Sequence, residues 1–289
     1  MHIKPIMTVP VSRNGLAGGG RETASLTIKH PSRRELSQLT DLYNSVIDLI
    51  HEKGLLITRG QIASRLERDP GSIFAGYVNG SLVGMINVIK LRLASQGMMP
   101  TDHQSLTGED TWSTTDPKNA NVWICPWVAT HPDLGRGWKG EYAGQTRSLG
   151  QLMVRSVAVK ATDSPSPIDY IVAYSRPAGL RAHFESRWGN LTFGEIAQSP
   201  YAQMRLADLG EIKVFDAGLY SRYSVGSWDC LYSVINYAET RTKEGRMLDP
   251  VIRFHIENGA RLIRDLIFPY GHTGDQNSLF YRTCLGYRL

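Results

Sequence analysis

The chain has 289 residues, 42% hydrophobic and 20% charged, with a net charge of +5 and a pI near 9.1. That balance belongs to a globular protein with room for one large domain or two small ones, and it excludes a disordered or fibrous chain. No apolar run approaches the roughly 18 residues of a membrane span, the opening residues lack the apolar core of a secretory signal, and the positive charge forms no stripe of the kind nucleic acid demands.

The cysteines, Cys125, Cys230 and Cys284, are odd in number and far apart. They make neither a disulfide framework nor a zinc spacing, and they fit a reducing cytoplasm. No metal, membrane or nucleic-acid partner is therefore expected. The mild positive charge suits a small anionic ligand.

Residues 1–23 contain Gly and Pro and read as a flexible tail, which leaves residues 24–289 as a single domain. Ser25–His30 is a first strand candidate. Ser32-Arg-Arg-Glu35 is a capping box, and Leu36, Leu39, Tyr43, Val46, Ile47 and Ile50 then share one helix face. Thr58-Arg-Gly-Gln61 opens a shorter helix that closes at Asp69-Pro70-Gly71. Ser72–Val78 and Leu82–Leu91 read as strands joined at Asn79-Gly80, a strong hairpin signal. Residues 93–119 are polar and read as a long loop.

Asn121–Thr130 is the next strand. It contains Pro126, which cannot donate to a ladder and marks a bulge or a parting of strands. A glycine-bearing segment follows, and then a helix in which Met153, Val157 and Ala161 form one stripe. A strand that feeds such a segment into a helix start can hold a phosphate, because free amides and the helix dipole both point at the anion. The segment reads Gln145-Thr-Arg-Ser-Leu-Gly150. It resembles the Q/R-x-x-G-x-G/A pyrophosphate loop of the GNAT superfamily of acyl-CoA-dependent acyltransferases, with Ser148 in place of the first glycine.

The resemblance implies a GNAT fold of the α/β (α+β) type, with a mixed, mostly antiparallel central sheet whose fourth and fifth strands splay to admit the pantetheine arm. It implies acetyl-CoA or another short acyl-CoA as substrate. It sets Val128 and Thr130 of the strand, and Gln145, Thr146, Arg147, Ser148, Leu149 and Gly150 of the loop, against the CoA. Arg136, in Gly135-Arg-Gly137, is an alternative phosphate partner. Trp123 and Trp127 are candidates for the wall of the acyl tunnel, unless a bulge at Pro126 breaks their common register. Ile168–Tyr174 is a buried strand, and residues 177–248 form a large inserted, acceptor-side region before the last helix.

Asp249-Pro-Val-Ile-Arg-Phe-His-Ile-Glu-Asn-Gly259-Ala has its helix ends labelled: Asp249 as N-cap, Pro250 at the first helical position and Gly259 as the stop. Arg261–Phe268 and Ser278–Leu289 read as strands. The segment is similar to the DP-x-x-x-FH-x-x-x-GA motif of the GNAT-like acyltransferase/decarboxylase domains of polyketide loading modules. There a Tyr-Arg-Pro turn usually follows. Here Pro269-Tyr270-Gly271-His272 stands in its place, so the arginine that helps to hold a malonyl carboxylate is missing, with Arg261 and Arg264 as possible substitutes.

On that resemblance His255 is the catalytic candidate, donating as imidazolium or accepting as imidazole. Ser221 and Ser224, beside Ser227, are candidates for the acceptor-side hydroxyl. Cys125 has no activating neighbour in the sequence, which argues against a covalent cysteine mechanism. The expected activity is acyl transfer to an acyl carrier protein thiol in natural-product biosynthesis. A small-molecule amine acceptor and a catalytically degenerate CoA-binding module are the alternatives.

Overall fold

Ser32 opens the first helical segment of the computed structural model, which describes residues 4–14, 20–49, 56–94, 99–100, 102–108, 111–188, 231–269, 278 and 281–287. Its backbone N–H and its hydroxyl both donate to Glu35 Oε2, at 2.7 and 2.8 Å. A 3-10 turn over Arg33–Glu35 then leads into α1 (Leu36–Leu49). The Thr58/Gln61 pair does the same for α2 (Arg59–Arg68), where the Gln61 amide donates to Thr58 Oγ1 and the Thr58 amide to Gln61 Oε1. Both starts therefore follow from local side-chain competition for orphan amides.

The described residues fall into two compact units. Those up to Arg92 and those of 107–171 make the first; those of 93–106 and 172–288 make the second. The first unit carries β1 (Met7–Asn14), β2 (Arg21–Lys29), β3 (Ile73–Val78), β4 (Ser81–Leu91), β5 (Val122–Thr130), β6 (Lys139–Tyr142) and β7 (Gln145–Ser148). Their order is β7-β6-β1-β2-β3-β4-β5, and every neighbouring pair is antiparallel. Asn79 and Gly80 turn β3 into β4 with φ of 51° and 81°, as a tight hairpin requires.

One expectation fails at the start of the chain. Residues 7–14 are not a flexible tail but β1, which pairs along its whole length with β2. Met7, Val9 and Val11 are buried and alternate with exposed Thr8 and Pro10. Pro10 is tolerated because β6 pairs only with Val11 and Ser12, so its missing N–H interrupts no ladder bond on that side.

Helices cover both faces of this sheet. On one, Leu36, Leu39, Leu42, Ile62 and Leu66 of α1 and α2 pack on Ile73, Ala75, Tyr77 and Met85. On the other lies α4 (Leu149–Thr162). Its approach depends on Gly76, where a Cβ would meet Met153 Sδ at 2.7 Å.

The second unit carries β8 (Tyr170–Ser175), β9 (Ala260–Pro269) and β10 (Tyr281–Tyr287), in the order β8-β10-β9. β9 and β10 are antiparallel, with a register shift at Thr283/Cys284. The helices α5 (Leu180–Trp188), α6 (Leu231–Glu239) and α7 (Pro250–Glu257) belong here. α5 and α6 fall in the region read as an insertion, whose middle, 189–230, is outside the described residues. The stretch 93–119, read as a loop, contains a short helix, α3 (His103–Thr107). Among the described residues no helix is long and apolar enough to cross a membrane.

Candidate functional site

The segment between β5 and α4 is more ordered than a phosphate loop. After Thr130 the chain turns at His131, whose amide donates to Val83 O at 2.8 Å. His131 Nδ1 accepts from the amides of Asp133 and Leu134, and Gly135 N–H closes onto His131 O at 2.9 Å. A Cβ at Gly135 would stand 2.7 Å from Val83 O and 2.8 Å from His131 O, so this turn demands glycine. Trp138 Nε1 donates to Leu134 O, and the Arg13 guanidinium lies 4.5 Å above the Trp138 ring. The turn is thus held by its own bonds, with Arg136 exposed beyond it.

The chain then makes the hairpin β6–β7 through Ala143 and Gly144, with φ of 51° and 72°. The residues expected to form the front of the pyrophosphate loop, Gln145–Ser148, are therefore a strand. Cross-strand pairing to Lys139–Tyr142 consumes backbone groups that the loop reading left free. Gln145 and Arg147 share one face of this strand, Gln145 exposed at its end and Arg147 buried, while Thr146 on the other face is exposed. Arg147 Nη2 donates to Gln145 Oε1 at 2.6 Å, and Thr146 bonds to Glu141. Burial, and then the charge of nearby Arg155, pull Arg147 below the usual arginine range. An anion set beside these guanidinium groups would relieve both effects.

Ser148 is the N-cap of α4, and it completes a capping box with Gln151. The Leu149 amide donates to Trp138 O at 3.2 Å. The Gly150 amide, on the first turn of the helix, has no carbonyl one turn back within the helix to bond to. Ser148 thus does work that glycine cannot: it fixes the helix start while leaving one amide of that turn for an anion.

Val128 and Thr130 of β5 are partly buried and pair with Ile86 and Gly84 of β4. They face the α4 side, since a Cβ built at Gly84 meets both Met153 Cγ and Thr130 Cγ2. The β4–β5 ladder shifts where Asn87 pairs with Trp127 and Ile89 with Ile124, which leaves one extra residue in β5 around Cys125 and Pro126. This is the bulge that Pro126 predicts. It puts Trp127 on the face of Ile124 and Trp123 on the other. Trp127 stacks on Tyr43 of α1 at 3.9 Å, whereas Trp123 is buried under the ammonium of Lys90. The two indoles do not form one wall. Cys125 is buried, and burial alone pushes its thiol up to about 12, so it supplies no thiolate.

In the second unit, α7 is built as its sequence labels it. Asp249 Oδ1 accepts from the amides of Val251 and Ile252, Pro250 occupies the first turn, and Gly259 has a φ of 89° beyond the last. Asp249 Oδ2 accepts from Gly179 N–H and from the Tyr237 hydroxyl, both at 2.9 Å. Much of the D-P-x-x-x-F-H-x-x-x-G-A pattern is therefore spent on helix ends, and Phe254 and His255 are motif residues with no part in them.

His255 is buried, and its Nδ1 lies 2.6 Å from the hydroxyl of Tyr287. The Phe254 ring meets the imidazole edge to face at 4.9 Å. Burial pulls the imidazole down to about 4, so it is neutral near pH 7. Of the two forms weighed from sequence, the imidazolium is thereby disfavoured and the ring is the imidazole.

Ser221 and Ser224, like Ser227, lie outside the described residues, as do Tyr270, Gly271 and His272 of the turn after β9. Arg264 is exposed and pairs with Glu239 at 3.2 Å, and Arg261 is exposed. A hydroxyl that the sequence reading passed over does stand out. Ser175, at the end of β8, is buried, and its Oγ has no hydrogen-bond partner among the described residues. Its carbonyl accepts from Thr283 Oγ1 at 3.1 Å, which ties the end of β8 to β10. An orphaned buried hydroxyl is costly and needs a reason. Among the described residues no group of His, Cys, Asp or Glu is arranged to hold a metal ion.

No family model matches the chain, and no curated protein matches it. Solved structures do. The loading GNATL domain of CurA from Lyngbya majuscula matches with a TM-score of 0.58 at 14% identity, over 91% of this chain and 96% of that one. The GphF GNAT-like decarboxylase, in complex with isobutyryl-CoA, gives a TM-score of 0.54 at 16% identity, over 90% and 97%. Malonyl-CoA decarboxylase from Cupriavidus metallidurans gives 0.51 at 13%, over 91% of this chain but 60% of that one. This chain therefore spans about three fifths of that enzyme's length. At these identities the likeness concerns the fold, and the chain has the mixed, mostly antiparallel GNAT fold that its sequence resembles.

Proposed function

We propose that this GNAT-fold chain is an acyl-CoA-dependent acyltransferase that moves a short acyl group from CoA to the phosphopantetheine thiol of a carrier protein. The observation that carries the reading is His255: a buried, neutral imidazole, hydrogen-bonded to Tyr287, on a helix whose motif residues Asp249, Pro250 and Gly259 serve its ends. The start of α4 supports it, with the Gly150 amide, the helix dipole and the Arg147 and Arg155 guanidinium groups offered to a pyrophosphate.

The chemistry is a direct transfer. The acceptor thiolate attacks the thioester carbon, and the carbonyl pair moves onto oxygen. The oxyanion then collapses, the bond to the CoA sulfur breaks, and CoA leaves as the thiolate. A neutral imidazole serves such a step at the oxygen or at the acceptor proton. Ser175 takes the place of the acceptor-side hydroxyl sought among Ser221 and Ser224. A thiol ionises more readily than an alkylammonium and needs a weaker base, which fits a site with no carboxylate bonded to His255 among the described residues.

The test is mass spectrometry of the protein incubated with acetyl-, propionyl- or malonyl-CoA and a phosphopantetheinylated carrier protein. An acyl adduct on the carrier that disappears with His255→Ala supports the reading, and its mass reports whether carbon dioxide was lost first. CoA release with an amine acceptor only would replace the thiol. Tight CoA binding without release to any acceptor would make the chain a binding module.

A further inference from the structure

We propose that Tyr287 donates its hydroxyl proton to His255 Nδ1 and so holds the imidazole as the Nε2–H tautomer, making His255 a hydrogen-bond donor to a substrate oxygen and not a base. The identity of that oxygen rests on the acyltransferase reading; the position of the proton does not.

A neutral imidazole facing a neutral phenol has two arrangements. Either the phenol O–H donates to a bare ring nitrogen, or a ring N–H donates to the phenol oxygen. Phenol is a much stronger acid than a neutral imidazole N–H, and a bare imidazole nitrogen is a much stronger base than a phenol oxygen. The first arrangement is therefore favoured wherever the pair is shielded from water. His255 and Tyr287 are both buried. The separation agrees: 2.6 Å lies within the range of hydroxyl donors, about 2.5–3.0 Å, and below that of N–H donors, about 2.7–3.2 Å.

Nothing else described around the ring offsets this choice. Phe254 presents an aromatic ring, which limits rotation and offers no lone pair to compete for Nδ1. Besides Asp265 of β9, whose side chain is outside the described ones, the charged groups on α7 and on the strands it packs against are Arg253, Glu257, Arg261, Arg264 and Arg282. None of them contributes to the depressed titration of His255, whose cause is burial alone. Tyr287 closes β10 and pairs with Ala260, the residue that follows the Gly259 stop of α7. The end of the helix and the start of β9 thus bring the phenol to the imidazole by construction.

With the proton on Nε2, His255 is suited to an oxygen that gains charge, such as the carbonyl oxygen of a tetrahedral intermediate or of an enolate. It cannot also remove the acceptor proton. The acceptor thiol must then react from its own ionised fraction. The rate should rise with pH through the thiol's own titration, with no limb near the ordinary histidine value.

Histidine-selective 15N labelling and long-range 1H–15N correlation read the tautomer directly. His255 is assigned by the signal lost in His255→Gln or, should that variant fail to fold, by ring contacts to Phe254. The expected result is a protonated Nε2 and a bare Nδ1, unchanged from about pH 5.5 to 8. In Tyr287→Phe the tautomers should mix, and kcat for acyl transfer should fall on the order of tenfold to a hundredfold while CoA affinity is kept. A proton on Nδ1 in the parent protein overturns the inference whatever the activity. Likewise, a kcat in Tyr287→Phe equal to the parent's, with the tautomer unmoved, shows that Tyr287 does not position the ring. The expected tautomer in a protein that transfers no acyl group leaves this inference standing and sinks the acyltransferase reading instead.

Discussion

Tyr237 gives its hydroxyl hydrogen to Asp249, the same carboxylate that caps α7. Asp249 is fully buried and accepts four hydrogen bonds, two from α7 amides, one from Gly179 and one from Tyr237. Burial, and then the carboxylate, push the Tyr237 hydroxyl well above the ordinary tyrosine value. A Cβ at Gly179 would strike the Tyr237 oxygen, so α6, the start of α5 and the start of α7 meet at one anion. Tyr237→Phe leaves Asp249 Oδ2 one donor short and should cost about 1–2 kcal/mol. Asp249→Ala strands several buried donors and removes a cap, and should cost more than about 3 kcal/mol. Urea denaturation of both variants checks the order. Equal costs would show that the carboxylate does not organise these elements.

The same burial that leaves His255 neutral makes stability depend on pH in a stated direction. Its folded value, about 4, lies below the ordinary 6.5, so between these values the unfolded chain binds more protons. Stability from this group is then complete above about pH 6.5 and is lost as pH falls towards 4, by roughly 3 kcal/mol at the low end. Carboxylates titrate in part of the same window, so the informative quantity is the difference between the parent and His255→Gln. The variant's stability should decline less steeply between pH 6.5 and 4.5. Parallel curves would mean that the imidazole gains its proton in the folded state without penalty.

Ser175 offers a cleaner separation of fold from function. Its buried hydroxyl lacks a hydrogen-bond partner among the described residues, so Ser175→Ala removes an unmet polar group and leaves its carbonyl free to receive Thr283 Oγ1. Stability should stay within about 0.5 kcal/mol of the parent or rise. Acyl transfer should fall. If the hydroxyl were only structural, stability would drop and the rate per folded molecule would not change.

These residues also mark how far the sequence could be read. The ends of α1, α2 and α7 were legible because each is set by neighbours in the chain: Ser32 with Glu35, Thr58 with Gln61, Asp249 with Pro250 and Gly259. The β5 bulge was legible from Pro126. β1 was not, because a proline within a run argues against a strand and its pairing with β2 is a tertiary fact. The β6–β7 hairpin was hidden because its turn puts Ala143, no turn former, at positive φ, so Gln145–Ser148 read as a loop. The His255–Tyr287 pair spans 32 residues. No periodicity connects positions so far apart, and the signal of Ser175, an unmet hydrogen bond, exists only once the chain is folded.

Lys90 and Asp69 give the sharpest test of the first unit's interior. Lys90 Nζ lies 2.8 Å from Asp69 Oδ2, and the two side chains are 10% and 5% exposed. Asp69 Oδ1 also accepts from Gly71 N–H, and Asp69 follows the last turn of α2, while the Lys90 ammonium lies over the Trp123 ring on β5. The pair therefore links the end of α2 to the strand that carries the bulge. Desolvation offsets much of the attraction in such a pair, yet removing one partner strands the other charge. Lys90→Met should cost on the order of 3–5 kcal/mol. The double variant Lys90→Met with Asp69→Asn keeps the acceptor for Gly71 and removes both charges, so it should recover at least half of that loss. Chemical denaturation of the parent, both single variants and the double variant measures the coupling. A double variant no more stable than Lys90→Met would mean that the lysine stem packing on Trp123, and not the ion pair, holds the two elements together.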